Sequence, residues 1–455
     1  MESAIANVDL GRYRRIVQMF WDPEPSNDAN SDQPVWCLGC SYKLSDGKEP
    51  TAGAICHDAT QDALQTTLNV NNILLEQDHM KTIQAPLTNA PETPPESAPN
   101  SLTSSLACDD LSQGGWPSGF LDDFTSKFWM TYRSDFDLIA KSSDPRAISA
   151  LSLSMRIKSQ LADPSGFSSD SGWGCMIRSG QSLLANTIGI LRLGRDWRRG
   201  RLRQEERQII GMFADDPRAP YSIHNFVRHG SVACGKYPGE WFGPSATARC
   251  IQDLTNSQEM PLRVYSTGDG QDVYEDSFMK IAKPDGLDFH PTLILVGTRL
   301  GIDKITPVYW EALIASLQMP QSVGIAGGRP ASSHYFIGAQ GKFLFYLDPH
   351  HTRKGIQYRP DPADYTDAEI DSCHTSRLRR LHIREMDPSM LIGFLIRSED
   401  DWVEWRRCVR HVQGKAVIHV ADHDPMLHGA GEDAGSVIDR VEPLSDEDSD
   451  TSLAT

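Results

Sequence analysis

Cys175 is the candidate nucleophile of this chain. It lies in the segment SSDSGWGCMIRSGQ, a glycine-rich turn that runs directly into an apolar-periodic stretch, so we expect its sulfur at or near the N-terminus of a helix. There the helix dipole and the free backbone N–H groups favour the thiolate, and the same N–H groups can receive an oxyanion. The alternative is that Cys175 is a small buried hydrophobic residue, as most cysteines are.

A nucleophilic cysteine needs a base, and of the fourteen histidines only His350 has an acidic residue placed to orient it. In KFLFYLDPH the strand period of two puts Asp348 and His350 on the same face. A carboxylate beside an imidazole fixes its tautomer and stabilises the imidazolium that forms when it takes up the thiol proton. His351 faces the opposite way and is the weaker candidate. The alternative for Asp348 and His350 is an ordinary solvated strand end.

Two helices are predicted near these residues. One follows Cys175 and ends at Gly194. The other lies in GFLDDFTSKFWMTY, where aromatic residues four apart form the stripe of a core-facing helix. The apolar faces consist of Ile177, Leu184, Ile188 and Leu191 in the first, and of Phe120, Phe124, Phe128 and Tyr132 in the second.

Between about 291 and 350 the pattern changes to that of strands. TLILVG is a buried run, and HYFIG and KFLFYLDPH flank Gln340 and Gly341 as the two arms of a hairpin. The segment 393–412 then predicts a further strand and the last helix. Helices first and an antiparallel sheet later indicate an α+β domain.

Three segments are predicted to lie outside this domain, which spans 33–414. Residues 1–32 form an N-terminal arm. Residues 45–117 form a long inserted loop, rich in Pro, Ser, Thr and Asn, that cannot bury enough apolar surface to become ordered. Residues 415–455 form a disordered acidic tail, with ten acidic residues and one basic residue from position 422 onward.

The formal net charge of −17 disfavours binding to nucleic acid or to anionic lipid. Nine cysteines at irregular spacing do not form the framework of a secreted disulfide-rich domain, so we expect reduced thiols in the cytosol. Cys37 and Cys40 form a CxxC pair without the second ligand pair that a closed zinc site requires. The chain also lacks an apolar signal segment or a run of ~18 apolar residues. No metal, cofactor or direct membrane contact is therefore expected.

A family resemblance adds to this interpretation. In chain order, TYRSDF, SDSGWGCMIRSGQ, LGRDW, GEWFGPSATA, GGRPASSHYFIG and FYLDPHHT resemble the successive signatures of the autophagin cysteine proteases. Six agreeing motifs are far more specific than one cysteine turn, and the resemblance covers roughly residues 33–43 and 117–412. The resemblance implies a papain-like cysteine protease fold. It also implies an endopeptidase that trims the ubiquitin-like autophagy modifier after a glycine and releases the modifier from phosphatidylethanolamine.

The resemblance also implies roles for individual residues. Cys175 is the nucleophile, His350 the general base and acid, and Asp348 its orienting partner. Tyr132 matches the position of a hydroxyl donor to the oxyanion, beside the backbone N–H of Cys175. Because Tyr132 also lies on the predicted apolar stripe, a role in packing is the alternative.

Trp241 in GEWFGP and the loop from Pro330 to Ser333 match the lid that the family places over the sulfur. An aromatic residue in a loop rich in Gly and Pro is often simply packed, and this is the alternative. A lid would explain how a cytosolic enzyme with so general a triad avoids cleaving other proteins.

The implied partners are the precursor and the phosphatidylethanolamine-conjugated form of the modifier, with membrane contact only through the lipidated substrate. The implied location is the cytoplasm, extending to the nucleus and to autophagosome precursor membranes. Two other functions were weighed: a protease-like module that binds the modifier without cleaving it, and a papain-like acyl transferase or amidase with another substrate. The intact set of site residues argues against the first, and GEWFGP and HYFIG do not suggest the second.

Overall fold

A computed structural model describes residues 24–27, 32–44, 51–52, 114–153, 155–157, 165–329 and 332–428. The strands are β1 (Val35–Cys37), β2 (Cys40–Tyr42), β3 (Thr51–Ala52), β4 (Arg133–Ala140), β5 (Gly166–Ser169), β6 (Arg263–Ser266), β7 (Asp272–Tyr274), β8 (Thr292–Arg299), β9 (Ser322–Arg329), β10 (Ser332–Gln340), β11 (Phe343–Leu347), β12 (Arg353–Lys354), β13 (Arg380–His382), β14 (Ser389–Ile396) and β15 (His419–Ala421). The α-helices are α1 (Ser118–Thr125), α2 (Pro145–Ala150), α3 (Cys175–Leu193), α4 (Arg203–Gly211), α5 (Ile223–Ala233), α6 (Pro244–Asn256), α7 (Glu275–Ala282), α8 (Trp310–Gln318), α9 (Asp367–Asp371), α10 (Glu399–Arg410) and α11 (Pro425–His428). Short 3₁₀ helices cover Pro307–Tyr309, Pro362–Asp364 and Ile383–Glu385.

One large sheet organises the domain. Its main path is β3-β2-β1-β10-β9-β14-β8-β6, and β11 and β13 extend it from β10. The pairs in this sheet are antiparallel except for β6 with β8. Two smaller sheets, β12-β4-β5 and β15-β7, lie beside it. The α+β class predicted from the order of helices and strands is confirmed.

Alternate residues of the central strands face two different apolar layers. In β8, Leu293 and Leu295 belong to one buried cluster, whereas Ile294 and Val296 belong to the other, as the strand period of two requires. The first layer contains α3 and α6, and the second contains α8 and α10. Because the central strands are covered on both faces, TLILVG is a continuous apolar run.

Helix α3 is the central helix of the first layer. Fifteen of its nineteen residues are buried. A Cβ at Gly180 would lie 2.4 Å from the Thr247 methyl group, so a glycine there lets α6 pack closely against α3. The helix begins at Cys175 and is terminated by its C-cap residue, Gly194, whose positive φ of 88° favours glycine. Both ends agree with the prediction.

The predicted aromatic helix is wrong beyond Thr125. Helix α1 ends there, and Phe128 and Tyr132 lie in an extended segment that leads into β4. The Ser126 hydroxyl donates to the Asp122 carbonyl at 2.7 Å, a local bond of the kind that competes with helix propagation. The backbone of 128–130 is then held by side chains of α3 instead: Phe128 N–H donates to Asn186 Oδ1 at 3.1 Å and Met130 N–H to Ser182 Oγ at 2.9 Å.

The folded body extends beyond the predicted boundaries. Asn27, assigned to the arm, is buried and accepts a hydrogen bond from Gln340 at 2.9 Å. Trp116, assigned to the insertion, is buried, and its indole donates to the Pro25 carbonyl at 2.9 Å. Strand β3, also assigned to the insertion, pairs with β2. Of the arm, the structure also describes Glu24–Ser26 and Asp32, and of the insertion it also describes Gly114, Gly115 and Pro117. The other residues of both segments lie outside the described residues.

Part of the predicted acidic tail also belongs to the folded body. Residues 415–428 are described, and β15 pairs in parallel with β7. Ile418 and Val417 are both 3% exposed, so the body extends through 428 rather than ending at 414. Among the described residues, no helix combines the length and the apolarity needed to cross a bilayer.

Candidate active site

The turn before α3 is organised by Asp170. The backbone N–H groups of Trp173 and Gly174 donate to the Asp170 carbonyl at 3.1 and 2.9 Å. A Cβ at Gly174 would lie 2.3 Å from the Asp170 carboxylate, so the residue before Cys175 must be glycine. The turn therefore delivers Cys175 as the first residue of the helix.

A buried ion network fixes the first turns of α3. Arg178 donates Nε to Asp170 and Nη2 to Asp215, each at 2.8 Å, and the Arg133 backbone N–H donates to Asp170 at 2.6 Å. Burial would lower the pKa of Arg178, but the two carboxylates raise the pKa above its ordinary value. The guanidinium therefore stays charged, and the network holds the cysteine turn in one orientation.

Asp348 and His350 lie directly after β11. His350 Nδ1 lies 2.6 Å from Asp348 Oδ1, and the His350 backbone N–H donates to the same oxygen at 3.0 Å. The Trp129 indole donates to the Asp348 carbonyl at 2.8 Å. The carboxylate thus fixes the imidazole ring and leaves Nε2 pointing away from it.

The sulfur of Cys175 is enclosed by donors. The residue is 1% exposed, and His350, the backbone N–H of Ser333 and the Tyr132 hydroxyl lie near enough to its sulfur to affect the pKa of the thiol. Burial alone would raise the pKa of the Cys175 thiol, but these partners, led by His350, lower that pKa below its ordinary value.

The opposite shift occurs at His350. Burial would lower the pKa of its imidazole, but hydrogen bonds to Asp348 and to Cys175 raise the pKa to about 9. A lowered thiol pKa and a raised imidazole pKa place the shared proton on the imidazole. The directions of the two shifts therefore favour a thiolate–imidazolium pair.

Tyr132 belongs to this site and not to a helix. Its backbone N–H donates to the Pro349 carbonyl at 2.9 Å, and its carbonyl accepts from Arg353 at 2.9 Å. Its ring meets that of His350 edge to face at 5.3 Å. The pKa of Tyr132 is raised, first by burial and then by Cys175, so the hydroxyl keeps its proton and can donate it in a hydrogen bond.

Two residues that the sequence reasoning missed lie beside Asp348. His334 Nε2 and Arg379 Nη1 are each 3.7 Å from a carboxylate oxygen of Asp348. Burial would raise the pKa of Asp348, but the His350 hydrogen bond and the charge of His334 lower the pKa below its ordinary value. His334 lies in HYFIG, one of the family-like strings, whereas the approach of Arg379 depends on the long-range pairing of β11 with β13.

The first residues of β10, Ser332 and Ser333, lie over the site on the side of the sheet. Ser332 Oγ lies 3.2 Å from His350 Nε2, and Ser333 Oγ lies 3.2 Å from Met176 Sδ. Strands β9 and β10 pair as far as Arg329 with Ser332. Pro330, predicted to belong to the lid, lies outside the described residues.

Trp241 and His351 are the other two residues named from the sequence. Trp241 lies between α5 and α6, is 39% exposed, and lines a surface pocket of about 260 Å³ together with Arg249 and Asp269. The ring of His351 packs edge-on against Trp129 at 5.8 Å, and burial lowers the pKa of His351. The role of Trp241 as a lid stays a prediction.

Two groups of side chains in the described part of the chain could hold a metal ion. His334, Asp348 and His350 form one, and His229, Cys234 and Cys250 form the other; within each group the ligand atoms lie within 4.8 Å of one another. The first group is the site described above, where Asp348 already accepts from His350. The CxxC pair belongs to neither group: Cys37 and Cys40 are direct partners across the β1–β2 hairpin.

The arrangement can perform acyl transfer through sulfur. A thiolate can attack a carbonyl carbon, the imidazolium can protonate the leaving amine, and the imidazole can then activate water. In such a reaction the Tyr132 hydroxyl and the Cys175 backbone N–H would be available to donate to the oxyanion of each tetrahedral intermediate.

Comparison with known proteins also indicates a cysteine peptidase. The profile of the peptidase C54 catalytic domain matches residues 117–408. The chain is 64% identical over 469 residues to a Cysteine protease ATG4 from Gibberella zeae, a match that covers 99% of each chain. It is 62% identical over 454 residues to a Probable cysteine protease atg4 from Sclerotinia sclerotiorum, covering 99% of this chain and 100% of the relative.

A third relative is named differently. The chain is 55% identical over 478 residues to Cysteine protease 1 from Neurospora crassa, covering 100% of this chain and 94% of the relative. These matches extend through the cysteine turn, the segment with Trp241 and the segment with His350.

Proposed function

The chain belongs to the peptidase C54 family of cysteine proteases of autophagy, and from this premise we propose that it cleaves the ubiquitin-like autophagy modifier after a glycine and also releases it from phosphatidylethanolamine. The family implies the modifier as substrate; cleavage after glycine and delipidation are the proposal. The observation that carries it is the convergence of Cys175, His350, Asp348 and Tyr132 around one buried sulfur.

Cys175 is the proposed nucleophile, with His350 as general base and acid. The thiolate attacks the carbonyl carbon of the glycine, the amine leaves with the proton from His350, and a thioester remains. Water then attacks the thioester, His350 accepts its proton, and the thiol is released with a free carboxylate on the modifier. Asp348 holds the imidazole in the required tautomer throughout.

Both proposed reactions break the same kind of bond. In the precursor, the glycine carbonyl forms an amide with the next residue, and in the lipidated form it forms an amide with the ethanolamine nitrogen. One nucleophile and one acid therefore serve both reactions, which differ in the leaving amine. The membrane enters only because the second leaving amine is a lipid.

The cover over the sulfur is proposed to provide specificity. Ser332 and Ser333 already contact His350 and Cys175, so a substrate must displace this edge of the sheet or pass beneath it. Binding of the folded body of the modifier would supply the free energy for that opening. A slot between this edge and Trp241 would admit a residue without a side chain, which is the reason for glycine.

The proposed location is the cytoplasm, extending to the nucleus, and autophagosome precursor membranes are reached through the lipidated substrate. This location follows from the proposed substrate, whose lipidated form is held on a membrane.

Two substrates test the proposal: a modifier with residues after its glycine, and a modifier conjugated to phosphatidylethanolamine in vesicles. We expect both to yield the same glycine-ended product, detected by intact mass, and we expect Cys175→Ala to bind the modifier without forming product. Binding without cleavage by the unmodified enzyme would favour the non-cleaving module. Cleavage of the precursor alone would remove delipidation from the proposal.

A further inference from the structure

A second cluster of sulfur and nitrogen ligands lies between α5 and α6. The ligand atoms of His229, Cys234 and Cys250 all lie within 4.8 Å of one another. A carboxylate oxygen of Asp253 lies 2.9 Å from His229 Nε2. The cluster therefore offers two thiols and one imidazole within the span of a single ion, with a carboxylate beside the imidazole.

Local geometry brings these four side chains together. His229 lies in the last turns of α5, and Cys234 is the residue that ends this helix. Cys250 and Asp253 are three apart on α6 and so share a helix face. The two helices pack against each other, with the Cys250 thiol 3.6 Å from the Phe226 carbonyl of α5.

The imidazole nitrogen is available to an ion. His229 Nε2 is buried and makes no hydrogen bond, and its close polar neighbour is the Asp253 carboxylate at 2.9 Å. A buried nitrogen that lacks a bonded partner is unusual in a folded protein. A cation placed between the imidazole, the carboxylate and the thiols would satisfy it.

The donor set identifies the ion. Two cysteine sulfurs with one histidine and one carboxylate are the ligands of zinc in tetrahedral sites, whereas calcium and magnesium take oxygen ligands. We propose that His229, Cys234, Cys250 and Asp253 bind one Zn²⁺ ion. The site is separate from Cys175 and goes beyond the peptidase activity of the family.

The surroundings are compatible with this ion. Cys234, Lys236 and Arg249 line the surface pocket of about 260 Å³ that also contains Trp241, so the cluster has a path from solvent. Two thiolates and a carboxylate around Zn²⁺ leave an excess negative charge. Lys236 and Arg249, which act electrostatically on Cys234, offset part of it.

The site has a structural consequence for the segment that carries Trp241. Residues 235–243 connect Cys234 to the start of α6 at Pro244. An ion held by Cys234 on one side and by Cys250 on the other would close this segment into a loop pinned at both helices. Zinc would then stabilise the fold and restrict Trp241, without entering the reaction at Cys175.

Cobalt(II) provides the direct test because thiolate ligation gives it a charge-transfer absorption band that zinc lacks. The full chain with Cys175→Ala is used, reduced with a phosphine, so that the catalytic thiol cannot contribute a ligand. We expect one equivalent of cobalt to produce a thiolate band, and one equivalent of zinc to abolish it. Metal content of the zinc-loaded protein should be about one ion per chain.

Variants assign the ligands. Cys234→Ser and Cys250→Ser should each weaken the thiolate band, and Asp253→Ala, at a side chain that is 56% exposed, should lower zinc affinity at least tenfold with little effect on the metal-free fold. Cys40→Ser, on the β1–β2 hairpin, is the matched control and should change nothing.

The results that support zinc binding differ clearly from those that contradict it. Zinc should raise the melting temperature of the Cys175→Ala protein and not that of its Asp253→Ala derivative. Absence of a thiolate band, a band that survives both cysteine substitutions, or a Cys234–Cys250 disulfide that persists under reduction would overturn the proposal. Because the test uses a protein without its nucleophile, failure of the peptidase assignment would leave it unaffected.

Discussion

The two halves of the active site hold their aspartates differently. On the helix side, Asp170 accepts hydrogen bonds of 2.6 and 2.8 Å from Arg133 and Arg178. On the strand side, Asp348 accepts from His350 at 2.6 Å, while Arg379 lies farther away at 3.7 Å. Both carboxylates are buried. The side chain that pairs with Asp170 is the permanently charged guanidinium of Arg178, whereas the side chain that pairs with Asp348 is the imidazole of His350, which can exchange a proton.

This difference separates positioning from chemistry. The helix side uses arginine, which does not titrate in the working range, to fix where Cys175 begins its helix. In the proposed mechanism, the strand side uses histidine, whose pKa the surroundings raise to about 9, to carry the proton. Removing Asp348 should therefore mainly affect the reaction, whereas breaking the network around Asp170 should mainly affect stability.

The largest expected effect is that of Asp348→Asn on catalysis. An amide in place of the carboxylate allows the wrong tautomer at His350, and in serine protease triads the same change costs about 10⁴ in kcat. We expect a loss of similar order in cleavage of the modifier precursor.

His351→Ala is the control for this prediction. Its ring packs on Trp129, so the rate should stay within a few-fold of the parent rate. If His351→Ala proved the more damaging variant, Asp348 and His350 would not be the working pair.

The next largest effect is that of Arg178→Met on stability. Removal of one partner from a buried ion network typically costs about 3–5 kcal/mol, because the remaining charges lose their compensation. Here Asp170 and Asp215 would both be left without their guanidinium. Urea unfolding should show the loss directly.

Partial rescue sharpens the same comparison. Arg178→Lys keeps the charge without the fork of donors and should recover part of the lost stability. The rate measured at a temperature where each variant is folded should fall far less than in Asp348→Asn. A stable Arg178→Met protein with no activity would show that the helix side enters the reaction itself.

The third effect is a pH dependence of stability. In Cys175→Ala, His350 loses the contribution of Cys175 but keeps the hydrogen bond to Asp348 that raises its pKa, and we expect the folded pKa to stay above the unfolded value of about 6.5. The folded state then holds a proton that the unfolded state releases. The free energy of unfolding contributed by His350 is complete below pH 6.5 and falls as the pH rises toward the folded pKa.

The parent protein should behave differently because Cys175 compensates. The lowered pKa of its thiol means that the folded state releases a proton that the unfolded state keeps up to about pH 9. The two contributions have opposite signs, so the stability difference between parent and Cys175→Ala should increase with pH above 6.5. Parallel urea midpoints at pH 6.5 and 8.5 would contradict the thiolate–imidazolium pair.

Some of this could be predicted from sequence because the signals are local. The start of α3 at Cys175 and its end at Gly194 follow from a glycine turn and an apolar period. The pairing of Asp348 with His350 follows from their spacing at a strand end. The buried strand β8 follows from its continuous apolar run.

What could not be predicted depends on distant contacts. The extended course of residues 128–132 is fixed by side chains of α3 that lie 58 and 52 positions farther along the chain. Arg379 reaches Asp348 only because β13 pairs with β11. The proposed zinc ligands are spaced 5, 16 and 3 residues apart, unlike the paired motif of a closed zinc site, and meet only because α5 packs on α6.

The smallest expected effect concerns the two sides of the cover over Cys175. The sheet side contacts the sulfur through the backbone N–H of Ser333, which a side-chain substitution cannot remove. The opposite side, the segment between α5 and α6, contains Trp241, which is 39% exposed and can be substituted with little loss of packing. Trp241→Ala should slow cleavage of a modifier ending in Gly-Phe by several-fold, because the substrate tail is less well placed.

The same substitution should relax the requirement for glycine. A wider slot would admit a methyl group, so the ratio of Gly-Phe to Ala-Phe cleavage should fall, while Cys175 of the free enzyme reacts with iodoacetamide as fast as before or faster. Trp241→Phe, which keeps a flat ring, should lie between parent and alanine variant in both assays. An unchanged Gly-to-Ala ratio together with slower labelling would remove Trp241 from the cover, and the choice of glycine would then rest on the edge of the sheet at Ser332 and Ser333.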